Sequence, residues 1–173
     1  RNNGNLVVYK ALNHKISVIS MHTNLDMCGG GVNDCLCEAL ELDGVKKYVA
    51  ADGFILRSAN VKTTADKFAE HIKSKLGFSV RYVGNGKISR LLVCSGSGGD
   101  YIDEAIAAGF DGLIAADIKH KIFIKAINNN FAVFDCGHYA SENVVVLPLT
   151  NLLQKKFKNT VFLPHNNDMI KFI

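Results

Sequence analysis

Hydrophobic residues recur along this chain in two alternating patterns. Stretches with an apolar residue every three or four positions are interleaved with short runs rich in Val, Ile and Phe. The first pattern is typical of amphipathic helices and the second of buried strands, so the alternation predicts an α/β (α+β) protein with mixed sheets flanked by helices. Helices are predicted near 4–13, 31–41, 64–76, 99–108, 119–129 and 140–156, and strands near 16–21, 54–61, 78–83, 88–94, 111–115, 131–135 and 160–163.

A short internal repeat indicates that the chain is duplicated. A Lys-Ala-(Leu or Ile)-Asn segment, followed two residues later by an apolar run, occurs at 10–19 and again at 125–134. Each copy leads to a histidine, His22 in the first and His138 in the second. A helix–strand unit is common enough for chance to produce one such match, but the shared order of features favours duplication.

The repeat and one turn together divide the chain. The Gly-Asn-Gly sequence at 84–86 tolerates left-handed backbone, and no apolar period crosses it. We therefore predict a first half at 1–84 and a second, similar half at 85–173. The segments at 16–21 and 131–135 would be equivalent central strands of the two halves.

Composition narrows the class of protein. The 173 residues are 48% hydrophobic, which is enough to bury a core. No apolar run approaches the roughly 18–20 residues that a membrane span needs, and the polar start has no feature of a signal peptide, so a cytoplasmic protein is expected. The net charge of +4 includes no block of like charges, and nucleic acid is not expected as a partner. The five cysteines lack the paired spacing of structural zinc sites and are expected to be reduced thiols.

Candidate chemistry first occurs in the loop after the strand predicted at 16–21. His22, Asn24 and Asp26 bring several metal- or proton-binding groups into one short segment. Loops at strand ends are where α/β proteins commonly build their sites. The alternative interpretation makes Asn24 and Asp26 turn formers and His22 a structural histidine.

His138 and Glu142 are four positions apart, and this spacing decides whether they can share an ion. On a strand the two residues would be roughly 13 Å apart, whereas on a helix they lie on one face at roughly 5–6 Å. A shared metal therefore requires a helix. The alternative is an ordinary histidine at a helix start, with an acidic residue in the first turn where the helix dipole favours it.

Two further strand ends carry polar groups whose role stays open. The glycine-rich turn at 96–99 follows a predicted strand, and its N–H groups suit a phosphate as well as they suit a tight strand-to-helix turn. Asp117 and His120 follow the strand predicted at 111–115. They are candidates for contacts to substrate or to metal ligands, and exposed polar residues at a helix start are equally common.

Four of these segments together resemble the Nif-three-like dinuclear metal centre family. They are His-Thr-Asn-Leu-Asp at 22–26, Cys-Ser-Gly-Ser-Gly at 94–98, Ala-Asp-Ile-Lys-His at 116–120 and Gly-His-Tyr-Ala-Ser-Glu at 137–142. The resemblance covers nearly the whole chain, and the first and last segments are the specific ones. Proteins of this family are duplicated α/β folds that assemble into toroidal homohexamers, and bacterial members carry the name GTP cyclohydrolase I type 2.

The resemblance implies a site and a chemistry. Asp26, His138 and Glu142 would be ligands of two divalent metal ions, either zinc, iron or manganese, with Glu142 as the bridge. Metal-activated water implies a hydrolase or cyclohydrolase of GTP cyclohydrolase type, acting on a small molecule such as a purine nucleotide. His22 and His120 would be the catalytic candidates for proton transfer. The alternative is a metal-binding toroidal scaffold or regulatory protein that interacts with protein or nucleic acid and catalyses little.

The sequence also departs from the family pattern. The family's remaining ligands come from an adjacent pair of histidines upstream of the first motif, and this sequence contains no such pair. The repeat agrees, because the strand and polar end at 110–120 have no counterpart ahead of Lys10. We therefore expect an amino-terminal segment to be missing and the chain as given to bind its metals weakly or not at all. Ala-Ala at 115–116 and Lys121 also differ from the family's third motif, which leaves the role of that motif open.

Overall fold

A computed structural model of the chain describes residues 3–165 and shows one mixed sheet flanked by helices. This architecture confirms the predicted mixed α/β fold. The strands are β1 (Asp43–Val49), β2 (Ile55–Thr64), β3 (Arg81–Val83), β4 (Lys87–Ser97), β5 (Gly112–Ala116) and β6 (Ala132–Asp135). The helices are α1 (Asn3–Asn13), α2 (Thr23–Met27), α3 (Val32–Ala39), α4 (Ala65–Leu76), α5 (Ile102–Ala107), α6 (His120–Asn128), α7 (His138–Asn143) and α8 (Val146–Lys156), with a turn of 3-10 helix at Gly99–Tyr101.

The strand order determines where a site can form. The six strands lie in the order β1-β2-β4-β5-β6-β3. Strands β4, β5 and β6 run parallel to one another, whereas the pairings of β1 with β2, β2 with β4 and β3 with β6 are antiparallel. The carboxyl ends of the three parallel strands therefore meet at one edge of the sheet, which is the usual place for a site in such folds.

Helices cover both faces of the parallel strands, so those strands are apolar throughout. Every position of β5 and of β6 is buried, as expected for strands that lack a solvent face. Alternate residues serve two cores: Phe134 packs in a cluster with Phe68 of α4, whereas Val133 packs in a cluster with Ile102 and Ile122 on the other face. This packing on both faces holds the parallel strands, and with them their shared carboxyl ends, in place.

The prediction of a strand at 16–21 is wrong. These residues connect α1 to α2 outside the sheet, and Val18 and Ile19 are 72% and 83% exposed. Their alternating apolar pattern suits a strand, but a strand forms only where a neighbour pairs with its backbone. The segment at 131–135 does contain a central strand, β6, so the predicted equivalence of the two segments is wrong as well. The division of the chain at 84 and 85 stays a prediction.

Three other elements differ from the sequence prediction. Strand β1 was not predicted, because its residues are nearly all exposed and it pairs only with β2 at an edge of the sheet, where no apolar alternation is required. The helix predicted over 140–156 is two helices, α7 and α8, separated by a turn at 144–145. The strand predicted at 160–163 is not a strand.

The five cysteines are free thiols, as expected. Four of them are buried, and burial raises the pKa of Cys37, Cys94 and Cys136 to about 12. These three side chains therefore act as apolar packing groups at neutral pH.

The helices are short. Helix α4 has 12 residues, and none of the helices within residues 3–165 is long and apolar enough to cross a membrane.

Candidate metal centre

His138 and Glu142 lie one turn apart on α7, with Nε2 of His138 2.9 Å from Oε1 of Glu142. Helix α7 begins directly after β6, and Gly137, with a φ of +79°, turns the chain sharply between them. The helix that a shared ion requires is therefore present, and it presents both side chains at the carboxyl edge of the parallel strands. The hydroxyl of buried Ser141 donates to the carbonyl of His138 at 2.8 Å and accepts from the N–H of Gly96 at 3.1 Å, which fixes α7 to the end of β4.

Asp117 lies on the other side of the His138 ring. Its Oδ2 is 2.6 Å from Nδ1 of His138, so the imidazole is held between two carboxylates. The hydrogen bond to Asp117 is the main reason that the pKa of His138 is raised. Metal-binding histidines are commonly oriented in this way, with one ring nitrogen donating to a carboxylate and the other free to bind an ion.

The backbone of Asp117 is strained. Its φ of +53° is left-handed, which costs of order 1 kcal/mol or more for a residue that is not glycine. Asp117 directly follows β5. Its side chain contacts His138 while its backbone holds this left-handed conformation. The sequence suggested Asp117 only as an open candidate, because nothing in its own segment indicates the histidine with which it pairs.

Asp26 reaches the same place from α2. Asp26, His22 and Glu142 line one cavity of about 300 Å³. Burial and the negative charge of Glu142 raise the pKa of Asp26, while His22 and His138 act in the opposite direction. Asp26 and Glu142 therefore line one cavity, and His138 contacts Glu142, although Asp26 and His138 are far apart in sequence.

Asn33 joins the Asp26 segment to the sheet. Its side chain is fully buried, and its Nδ2 donates to the carbonyls of Asp26 at 3.1 Å and Ile55 at 3.3 Å. Its Oδ1 accepts from the N–H of Ser95 at 2.7 Å, next to the residue that contacts α7. One amide side chain thus sets the position of Asp26 relative to the end of β4. Nothing in the sequence singles out Asn33, because an Asn in the first turn of a helix is usually exposed.

A buried ion pair holds the turn between α2 and α3. Arg57 of β2 is 1% exposed, and its Nε and Nη2 both contact the carboxylate of Asp34. Nη2 also donates to the carbonyl of Cys28 at 3.0 Å, and Asp34 accepts from the N–H of Gly30 at 2.7 Å. The hydrogen bond with Arg57 lowers the pKa of Asp34. The turn that follows Asp26 is therefore held in place by a buried side chain of the sheet.

The glycine-rich turn at 96–99 packs directly against the site. A Cβ on Gly96, whose φ is +63°, would lie 2.6 Å from Oε1 of Glu142, and a Cβ on Gly98 would lie 2.6 Å from Sγ of Cys94. These glycines are needed because the backbone approaches Glu142 and β4 closely. The geometry supports the interpretation as a tight strand-to-helix turn and gives no support to a phosphate cradle.

The two histidines suggested for proton transfer occupy different places. His22 precedes α2, borders the cavity with Asp26, and has its Nδ1 2.9 Å from Oγ1 of Thr23. His120 is the exposed first residue of α6 and does not line that cavity. The roles of both stay predictions, and only His22 adjoins the cavity.

The described residues do not hold a complete metal-binding group. Within residues 3–165, no group of three or more His, Cys, Asp and Glu side chains is arranged to hold an ion. Instead, His138 and Glu142 contact each other through the atoms that an ion would bind. The donor types suit a divalent metal, since one ring nitrogen of His138 contacts the carboxylate of Glu142 and the other contacts Asp117.

Asp117→Asn is expected to lower the pKa of His138, because the carboxylate is the main group that raises it. A raised histidine pKa stabilises the fold below the unfolded value near 6.5, and this contribution is lost as pH rises through the folded pKa. The variant should therefore lose more stability at pH 5.5 than at pH 8. An NMR titration of the His138 ring in chelator measures the pKa, with Asp100→Asn as a control of equal charge. An unchanged pKa in Asp117→Asn would show that the contact is incidental.

Comparison with known proteins gives the family. The family model described as Duf34/NIF3 (NGG1p interacting factor 3) matches residues 1–168. Proteins named GTP cyclohydrolase 1 type 2 homolog from Clostridium acetobutylicum and Pseudomonas aeruginosa are each 30% identical to this chain, over 94% and 84% of its length. The chain covers 66% and 60% of those two relatives, so it spans less than two thirds of their length.

Solved structures show the same fold. A hypothetical protein from Staphylococcus aureus has a TM-score of 0.84 at 28% identity, over 97% of this chain and 72% of that one. Reduced HcgD from Methanocaldococcus jannaschii has a TM-score of 0.75 at 24% identity, over 89% of this chain and 63% of that one, and this likeness bears on the fold alone. With the family model matching nearly every residue, the chain belongs to the Duf34/NIF3 family.

Proposed function

We propose that this protein is a metal-dependent hydrolase or cyclohydrolase that binds two divalent ions through Asp26, His138 and Glu142. The observation that carries the proposal is the position of His138 between Asp117 and Glu142, with one ring nitrogen on each carboxylate. An imidazole with two carboxylates suits zinc, iron and manganese alike. The chain spans less than two thirds of its named relatives, so the activity is proposed for the whole protein.

The cavity beside Asp26 supports a small substrate. Its volume of about 300 Å³ is at the low end of the range for ligand sites. Apolar side chains, including Leu25 and Val145, line it together with the polar groups of His22, Asp26 and Glu142. This lining offers a flat ring both apolar contacts and polar groups. Because relatives carry the name GTP cyclohydrolase 1 type 2 homolog, we propose a purine nucleotide as the substrate.

Each residue would have a separate task. Bound divalent ions lower the pKa of coordinated water from 15.7 toward about 7, which supplies a nucleophile at neutral pH. Asp117 would hold the His138 ring in the orientation that keeps Nε2 available. Asp26, whose pKa is raised by burial, would lose its proton before it binds an ion, so metal affinity would increase with pH. His22 would exchange a proton with a group in the cavity that it borders.

A non-catalytic role is the second candidate, and one observation favours it. Helix α1 and residues 16–21 expose many apolar side chains, among them Val7, Leu12 and Ile19. Large exposed apolar surfaces usually mark interactions with other chains. This surface supports a closed homo-oligomer, which we propose to be a hexamer, and it suits a metal-binding ring with a regulatory or scaffold role. The free thiols suit the reducing cytoplasm, where we place the protein.

Metal content and turnover distinguish these candidates. The whole protein, purified and dialysed against zinc, manganese or iron(II), is analysed for bound metal and then assayed with GTP and other purine nucleotides by chromatography. A hydrolase should form a product that disappears with chelator and returns with metal. Bound metal without a metal-dependent product would favour the ring, and the absence of bound metal would contradict both candidates.

A further inference from the structure

A second cleft lies at the opposite end of the central strands from the candidate metal centre. It is formed by the end of β2, the start of β4 and the amino-terminal turn of α4, and it encloses about 410 Å³. Thr64 of β2 is paired with Lys87 of β4 at this end of the sheet. Because β4 has 11 residues, its two ends are roughly 33 Å apart. The cleft is therefore separate from the site beside Glu142.

The lining of this cleft is polar and positively charged. It consists of three lysines, three hydroxyl residues and one apolar residue: Lys62, Lys67, Lys87, Thr63, Thr64, Ser89 and Ile88. Among the ion pairs formed within residues 3–165, none involves Lys62, Lys67 or Lys87. The positive charge of the cleft is therefore not neutralised by a direct carboxylate contact.

Three carboxylates close to these lysines in sequence or in the adjoining groove do not line the cleft. Asp66, beside Lys67 in sequence, accepts a hydrogen bond from the hydroxyl of Tyr82 at 2.9 Å. Glu41 and Asp43 line the adjoining groove, which Lys62 and Lys67 also border, and Glu41 is paired with Lys75. The lining of the cleft itself contains no carboxylate among the described residues.

The charges of the cleft are unfavourable in the free protein. Lys67 lies in the first turn of α4, where the helix dipole already places partial positive charge. Lysines are favoured at the opposite end of a helix, and α4 carries Lys73 and Lys75 there. Three like charges around one opening repel one another, and an anion between them would remove that repulsion.

We propose that this cleft binds a small anion with two or three linked phosphates, held by Lys62, Lys67 and Lys87. Lysine ammonium groups are point-charge donors to phosphate oxygens, and the hydroxyls of the cleft supply further donors. No aromatic side chain of the described chain lines it, so it offers no stacking surface for a nucleobase. Recognition would therefore be of the phosphates alone, whether free or carried by a nucleotide.

Calorimetric titration with tripolyphosphate in chelator tests the proposal without involving the metal centre. The cleft variant is K62Q/K67Q/K87Q, and the matched control is K155Q/K156Q/K158Q, which removes the same charge from exposed positions that do not line the cleft. The wild type and the control should bind alike. The cleft variant should bind at least about tenfold more weakly, which corresponds to the loss of one charge-assisted hydrogen bond.

Several results would overturn the proposal. Equal weakening in the two triple variants would show that affinity comes from overall charge. A nucleoside triphosphate that binds tenfold more tightly than tripolyphosphate would show that a base is also recognised. Tighter binding of a short RNA, lost in the cleft variant, would assign the cleft to nucleic acid. Thermal unfolding checks that the variants fold, and the three single substitutions provide the test if the triple variant does not.

Discussion

Asp34→Asn is expected to lower the free energy of unfolding by about 3 kcal/mol, because it leaves the buried guanidinium of Arg57 without a counter-charge. The partners that would remain are neutral carbonyls, those of Leu56 and Cys28, each at 3.0 Å. Urea unfolding followed by circular dichroism measures the loss. Asp103→Asn is the matched control, since it breaks an exposed pair with Lys125 and should cost less than about 1 kcal/mol. Equal losses in the two variants would show that burial of Arg57 is unimportant.

The ion pair between Arg57 and Asp34 should also make the stability of the fold depend on pH. Arg57 lowers the pKa of Asp34, so the pair stabilises the fold above the ordinary aspartate value near 3.9 and loses this effect as pH falls through the lowered pKa. The difference between wild type and Asp34→Asn should be constant from about pH 7 to pH 5 and should shrink below about pH 4. A difference that increased on acidification would contradict this interpretation of the pair.

His138→Ala is expected to weaken metal binding by more than about 100-fold, which exceeds the loss usually seen when only a group behind a ligand is removed. The substitution removes the imidazole that lies between Asp117 and Glu142. Equilibrium dialysis with zinc or manganese measures the affinity. His14→Ala is the control, because His14 is exposed and its Nδ1 lies 2.8 Å from the carbonyl oxygen of Lys10, away from the candidate site. Glu142→Gln tests the second ligand while keeping the shape of the side chain.

The outcome of this comparison separates ligation from folding. His138→Ala leaves two carboxylates without the cation that lay between them, so a modest loss of stability at acidic pH is expected together with the loss of metal. A variant that kept full metal affinity would exclude His138 as a ligand. A variant that unfolded would leave Glu142→Gln, whose packing is unchanged, to provide the measurement.

Sequence reasoning succeeded where local pattern determines structure. The spacing of His138 and Glu142 required a helix, and α7 provides it. The apolar runs near 111–115 and 131–135 contain β5 and β6, because strands buried on both faces must be apolar throughout. The polar segments that follow these strands could therefore be identified as strand-end segments before the fold was known.

Sequence reasoning failed where partners distant in the chain determine structure. Residues 16–21 have the pattern of a strand but no strand to pair with in the described chain, whereas the polar β1 forms because β2 offers an edge. Asn33 and Asp117 have unremarkable neighbours in sequence, and each acquires its role from contacts with residues far along the chain. No local signal identifies these distant partners.

The candidate site is built from two segments that differ in how much surface they bury. Helix α2, which carries Asp26, has no buried residue, whereas β5, which precedes Asp117, is buried at every position. Segments with little buried surface open at low free energy while the core stays closed. Amide protons of α2 should therefore exchange with solvent orders of magnitude faster than those of β5. An ion held from both sides would slow exchange in α2 selectively, since ligand binding stabilises only the closed form.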